Sequence, residues 1–477
     1  METAQIIDNS ALLPPVLPDD QVTMIDWHPD WVKDIVMVQF RVETVSPKGT
    51  FEAAIPVLDH YAEVGVNCIW LNPIFQREES GYYTGNNGYG SYGPHVIDKR
   101  IAGTDGPDEE RYAAVRRFVQ EAHKRNIRVL SDIVVWGVCK GSPLGTEHPE
   151  IFMYENGLHT VWGGWAYNWN TPAFKEWYVS ATVEMLCKTE LDGLRVDLEP
   201  TITGYHVFKE IRDRMYARGR KICIFSEGTN SRQETYDFEE GSIGADTDTP
   251  LDQWGNAMVE TLGYYMNPQN NIVDSIQTGR GVGILSEQRE GNGGKARFYV
   301  NNLCCHDHYR PGVCGDRVNA GYQAIFAPFI PMWWIGEEWN NTMTKGGTNV
   351  MYFTDIHWDE LNDPEKRAFF EDFKAMMRIR RQYPEIFTYS PANHRETNIC
   401  KVQANTPLQA YARYAEGKTV LILPNSTDET LTVTALRPDV ATGDTVCELF
   451  QGQDLQTDGQ TLKVTVPPHT MSIILIQ

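Results

Sequence analysis

The stretch DGLRVDLEP, residues 192–200, sets Arg195 two residues before Asp197 inside an apolar run that reads as a buried strand. A lone buried charge is costly, so such a run marks either an internal ion pair or an active site whose chemistry needs the charges. Residues two apart on a strand share a face, so a guanidinium at Arg195 can stand against the Asp197 carboxylate and keep it ionised. Three other apolar runs also end in acids: VLSDIVV with Asp132, CIFSEG with Glu227 and NNLCCHD with Asp307. One acid at a strand end commonly caps a helix or satisfies a loop, whereas four on the strands of one sheet are candidates for shared acid–base work.

Those strands need a scaffold. From about residue 35 short apolar runs alternate with longer amphipathic segments, the pattern of repeated βα units around a parallel sheet. DIVMVQF, VNCIWLNPIF, IRVLSDIVV, DGLRVDL and KICIFSEG read as the first five strands, and ARFYVNNLCCHD and AIFAPFIPMWWIGEE as the seventh and eighth. The sixth is placed at GSIGAD, residues 241–246, on weak local pattern alone. Helices are expected over residues 51–63 ending near Gly65, through Val115, Phe118, Val119 and Ala122 up to Asn126, from Thr171-Pro172 along Phe174, Trp177, Ala181 and Met185, through Phe208, Ile211 and Met215, and from Asp363-Pro364 along Phe369, Phe373, Met376 and Ile379. Beyond about residue 390 the period changes to short alternating strands with turns at Glu416-Gly417 and Asp458-Gly459. The fold class is therefore α/β: a (β/α)8 TIM barrel over residues 29–388 with a short insertion at 138–170, preceded by an extended arm at 1–28 and followed by an all-β sandwich at 389–477.

In order along the chain, GVNCIWLNPIF, GLRVDLEP, FSEGTN and CCHDHY resemble the motifs of the alpha-amylase family of retaining glycosidases, glycoside hydrolase family 13, and NNGYGSYGPHVIDKRIAGTD is similar to a loop that brings a tyrosine under the sugar. The resemblance runs from about residue 30 to the end. It implies that Asp197 is the nucleophile, Glu227 the acid/base and Asp307 a third carboxylate gripping sugar hydroxyls, with His306 hydrogen-bonding beside it, Arg195 aiming Asp197, Tyr89 stacking beneath the ring and Asp132 joining the substrate-binding set. Retention through a glycosyl-enzyme requires such a carboxylate pair, about 5 Å apart.

The chain also departs from the family pattern. After Asp132 the family typically runs through three apolar residues to an asparagine that helps hold calcium and a histidine that touches the 6-hydroxyl; here Trp136 and Gly137 stand there. An indole supplies no oxygen ligand, so calcium is not expected at that place and no metal or other cofactor is assigned. Gly137 is expected to open space near carbon 6 of the sugar. Gly90 replaces an aspartate after the tyrosine, and Leu198-Glu199-Pro200 replaces a lysine-histidine pair. Trp162, Trp165 and Trp169 are either platforms for further sugars or plain packing.

Composition narrows the partners. A formal charge of -22 disfavours nucleic acid and anionic membrane and makes a neutral ligand the easier partner; the resemblance implies an oligosaccharide or polysaccharide. Nine cysteines without CxxC spacing argue against a disulfide framework or a zinc site and for reduced thiols in a cytoplasm; Cys304 and Cys305 point to opposite faces as core residues. The N-terminal stretch lacks the pattern of a secretory signal, and no apolar run reaches about 18 residues. The leading reading is hydrolysis of α-glucosidic bonds with retention. A transglycosylase with the same two-step chemistry is the alternative, and a non-catalytic carbohydrate-binding or transporter-accessory barrel the second.

Overall fold

The computed structural model describes residues 29–77, 87–152, 160–161, 164–197, 205–226, 258–261, 298–306, 315–326, 330–342, 353–387 and 399–477. The proposed arm at 1–28 lies outside them.

Eight parallel strands close into a barrel: Met37–Phe40, Cys68–Leu71, Arg128–Ile133, Gly193–Val196, Cys223–Ser226, Met258–Thr261, Phe298–Asn302 and Ile330–Trp334, the eighth pairing back onto the first. The sixth strand is thus Met258–Thr261, not GSIGAD, which lies outside the described residues. A four-residue strand that carries Glu260 has too short an apolar signature to stand out.

Strand period two decides what each side chain does. Val38, Phe40, Ile69, Leu71, Val129, Ile133, Leu194 and Val196 face outward into one continuous core beneath the helices. The alternate residues Met37, Cys68, Leu130 and Cys223, joined by Met332 and Ile330, fill the lower barrel interior with apolar groups. One step higher on the same faces stand Gln39, Trp70, Asp132 and Arg195, with Gln39 beside Trp70 and Asp132 beside Arg195 in register. The interior therefore turns polar toward the C-terminal rim.

The helices follow their sequence signals. The first expected helix is split into Phe51–Ala54 and Val57–Val64, because Pro56 has no N–H to continue the ladder. Gly65 ends it in the left-handed region at φ 99°, and Asn126 at φ 59° turns the chain after Asp108–His123. Pro172–Thr189 and Pro364–Gln382 both begin on proline, the latter capped by Asp363 accepting from Glu365 and Lys366 N–H. Tyr205–Tyr216 completes the expected set. Among the described residues no helix is long and apolar enough to cross a membrane.

After the third strand a small sheet of Gly137–Val138, Gly164–Ala166 and Thr160–Val161 forms the insertion. At the C-terminal end a five-stranded and a three-stranded antiparallel sheet share a core of Val402, Leu421, Leu423, Val433, Leu462, Val464 and Ile474. Two of these strands, Ile399–Val402 and Leu455–Thr457, have no counterpart in the sequence reading. The five-stranded sheet also packs on the barrel, since Tyr411, Val420, Ile422 and Ile473 belong to the outer barrel core.

Candidate active site

The charged residues of the third and fourth strands meet at the C-terminal rim. Arg195 is fully buried, and one of its terminal nitrogens donates to both Asp132 oxygens at 3.0 and 3.2 Å and to Asp197 Oδ1 at 2.8 Å. Its guanidinium lies 5.0 Å from the centre of the Trp70 ring, a cation–π contact. The Asp197 main-chain N–H donates to Ile133 at 3.0 Å, which extends the ladder by one residue and points the side chain over the rim. Asp197 keeps 8% of its surface exposed whereas Asp132 keeps none. A guanidinium shared between a sealed and an accessible carboxylate holds the accessible one charged and aimed.

Asp132 was expected among the sugar-contacting residues; in the structure it is fully buried. Besides Arg195, its Oδ2 accepts from Trp70 Nε1 at 3.2 Å and from the Tyr89 hydroxyl at 2.7 Å. With no exposed surface it supports its neighbours from beneath. Arg195 is sealed in the same way and donates to Asp197.

Tyr89 comes into the same cluster from the loop after the second strand. Its hydroxyl is 2.8 Å from His306 Nε2 and accepts from Asn72 Nδ2 at 3.3 Å, and its ring stacks on His306 with centroids 5.3 Å apart. His306 is held from the other side by Gln39, 2.7 Å from Nδ1, and Trp70 meets it edge-on at 5.6 Å. Of the seven residues singled out in sequence, Arg195, Asp197, Asp132, Tyr89 and His306 form one connected network. Glu227 and Asp307 lie outside the described residues. Sequence reasoning missed Gln39, Trp70 and Asn72; the available signal was an amide at Gln39 within the apolar strand MVQF and another at Asn72 just beyond CIWL.

The third-strand departures have a structural cause. Gly137 does not open space: a Cβ there would fall 1.9 Å from the Trp165 carbonyl oxygen, because the insertion sheet pairs Gly137 with Ala166. Trp136 is wedged under the same sheet, its ring so near Gly164 that a Cβ on that glycine would meet it at 2.6 Å, and it forms an apolar cluster with Tyr89 and Val134. These residues do not fit calcium, since an indole in an apolar cluster supplies no ligand oxygen. Trp169 is core, donating to Val135 at 2.9 Å and ringed by Tyr167, Phe174 and Tyr178, and half-buried Trp165 packs on Phe152; Trp162 lies outside the described residues.

Cys304 faces the outer core and Cys305 the barrel interior, as strand alternation requires.

No family model matches the chain. It is 25% identical over 393 residues to a malto-oligosyltrehalose trehalohydrolase of Arthrobacter ramosus, covering 73% of this chain and 64% of that protein. It is 22% identical to a cyclomaltodextrinase of Geobacillus thermopakistaniensis, covering 94% and 78%. The chain thus spans somewhat less than two thirds of the trehalohydrolase. Among solved structures, a maltogenic alpha-amylase from Thermotoga neapolitana superposes with a TM-score of 0.69 at 16% identity over 93% of this chain and 99% of that one. A debranching enzyme from Nostoc punctiforme gives 0.67 at 18% over 94% and 99%. At such identities the structures speak to the fold, a barrel with a C-terminal β region, and the resemblance to the alpha-amylase family drawn from the motifs holds in these relatives.

Proposed function

We propose, from its likeness to the alpha-amylase family, that this chain is a retaining glycoside hydrolase that cleaves α-glucosidic bonds of oligosaccharides or polysaccharides. The observation that carries the reading is the Asp197 carboxylate, held at the C-terminal rim of the fourth strand by a buried arginine that is itself anchored on Asp132. Catalytic groups of such barrels stand on that rim.

In this reading Asp197 attacks the anomeric carbon and forms a covalent glycosyl-enzyme while Glu227 gives its proton to the leaving oxygen. Glu227 then takes a proton from water, which attacks the same carbon and releases Asp197. The charge of Asp197 is what raises the proton affinity of Glu227 across the sugar. Asp307 grips hydroxyls of the reacting ring, with His306 hydrogen-bonded beside it, and Tyr89 forms the floor. No calcium is assigned at the end of the third strand, so adding EDTA is expected to leave the melting temperature and the activity unchanged. The chain is read as an arm, a catalytic barrel and a β-sandwich with boundaries near residues 28 and 388.

The test is a panel of α-linked di- and oligosaccharides, with product anomers followed by proton NMR in the first minutes. The α-anomer is expected first, and Asp197→Asn is expected to lower kcat by roughly 10⁴-fold or more. First release of the β-anomer, or wild-type activity in Asp197→Asn, overturns the reading. A labelled sugar acceptor distinguishes hydrolysis from transfer.

A further inference from the structure

The contacts around His306 determine its proton. The His306 main-chain N–H, an unambiguous donor, points at Gln39 Oε1 at 3.2 Å. That fixes which end of the Gln39 amide is oxygen, so the group 2.7 Å from His306 Nδ1 is the Gln39 NH2, a donor. Nδ1 must then be an acceptor, and the neutral ring carries its hydrogen on Nε2.

The remaining bonds agree with this direction. The second Gln39 amide hydrogen reaches Asn72 Oδ1 at 3.4 Å, which leaves Asn72 Nδ2 to donate to the Tyr89 hydroxyl at 3.3 Å. Tyr89 also accepts from His306 Nε2–H at 2.8 Å and passes its own proton to Asp132 Oδ2 at 2.7 Å. Each donor meets an acceptor from the first strand to the third, and Gln39, Asn72 and His306 are all buried.

We infer that Gln39 is a positioning residue that locks His306 as the neutral Nε2–H tautomer, so that His306 serves as a hydrogen-bond donor and takes no proton during the reaction. The kinetic part of this rests on the proposed glycosidase reading; the tautomer does not. The ionisable groups facing the ring are Tyr89 directly and, through it, Asp132 with Arg195 and Asp197 behind; Asp307, the next residue in the chain, lies outside the described residues. A cation at His306 would direct a second N–H at the Gln39 NH2, so the amide opposes protonation by donor–donor conflict.

The experiment is long-range proton–nitrogen correlation on protein labelled with 15N-histidine, with the His306 signals assigned by their loss in His306→Asn. The expected wild-type pattern is a pyridine-like Nδ1 and a pyrrole-like Nε2 throughout about pH 5 to 8, where an ordinary histidine titrates. Gln39→Glu turns the donor facing Nδ1 into an acceptor, and is expected to protonate Nδ1, add an ionisation to the pH profile of kcat/KM and lower its plateau about tenfold or more, as for a buried hydrogen bond reversed. Gln39→Met removes both contacts without adding charge and is expected to free the ring to titrate. A wild-type His306 that is cationic or carries Nδ1–H at neutral pH overturns the inference, as does an unchanged tautomer in both variants. Absence of glycosidase activity with the expected nitrogen pattern would sink only the proposed function.

Discussion

The third and fourth strands carry a buried charge cluster at each end, and the two ends use nearly the same residue types for opposite purposes. At the N-terminal end Asp192 accepts from His123 Nε2 at 2.7 Å, from the Val129 main-chain N–H at 2.8 Å and from Arg128 at 3.4 Å. Every contact runs to the helix or strand alongside, so the carboxylate ties the base of one strand to the next. At the C-terminal end Arg195 shares itself between sealed Asp132 and accessible Asp197. One cluster ties neighbouring strands together at the base, and the other places at the rim a carboxylate that keeps 8% of its surface exposed. This is the division expected of such barrels, stability at the base and chemistry at the rim.

The comparison is sharpest in the paired amide variants. Asp197→Asn should nearly abolish turnover with little change in melting temperature. Asp192→Asn should leave kcat of the folded protein within about threefold and destabilise by about 3 kcal/mol, since it breaks a buried charge pair. Calorimetry beside steady-state kinetics checks both, and equal loss of turnover in the two variants would erase the distinction between the ends. Arg195→Met links the two effects: it strands two carboxylates, so about 3–5 kcal/mol of stability and most activity should go together.

Restoring a histidine by Gly137→His should cost about 1–3 kcal/mol by overpacking against the Trp165 carbonyl, measured as a lower urea midpoint. A variant as stable as wild type would show that the insertion sheet can yield there. The smallest effect is in acid. Burial by itself raises the Asp192 carboxyl, but the His123 hydrogen bond and the charges of His123 and Arg128 outweigh it and hold the group below its ordinary value of 3.8. The sign follows: a lowered native value gives stability that is complete above the unfolded value and disappears as pH falls from there through the native one. Stability measured from about pH 5 downward should therefore drop less steeply in Asp192→Asn than in wild type.

Much of this was legible along the chain. Seven barrel strands were readable as apolar runs, several of them following a helix stop such as Gly65, Asn126 or Gly219, and Arg195 and Asp197 stood out as charges inside such a run. The sixth strand escaped because four residues of MVET carry no decisive period. Gln39 and Asn72 escaped because a single amide in a strand becomes informative only when its partners on other strands are known. Gly137 was misread as open space because the Trp165 oxygen that closes on it arrives from 28 residues later through the insertion sheet.

By itself the sequence determined the parallel βα architecture, the change to an all-β region and the identity of the charged pair on the fourth strand, because period, breakers and charges in apolar runs are local properties. Only the tertiary structure decided that Asp132 lies sealed beneath Asp197, that Trp136 and Gly137 are held by a separate small sheet, and that Gln39 sets the proton on His306. Those outcomes depend on which atoms of distant strands come within hydrogen-bond or van der Waals distance, and closure of the barrel is what brings them together.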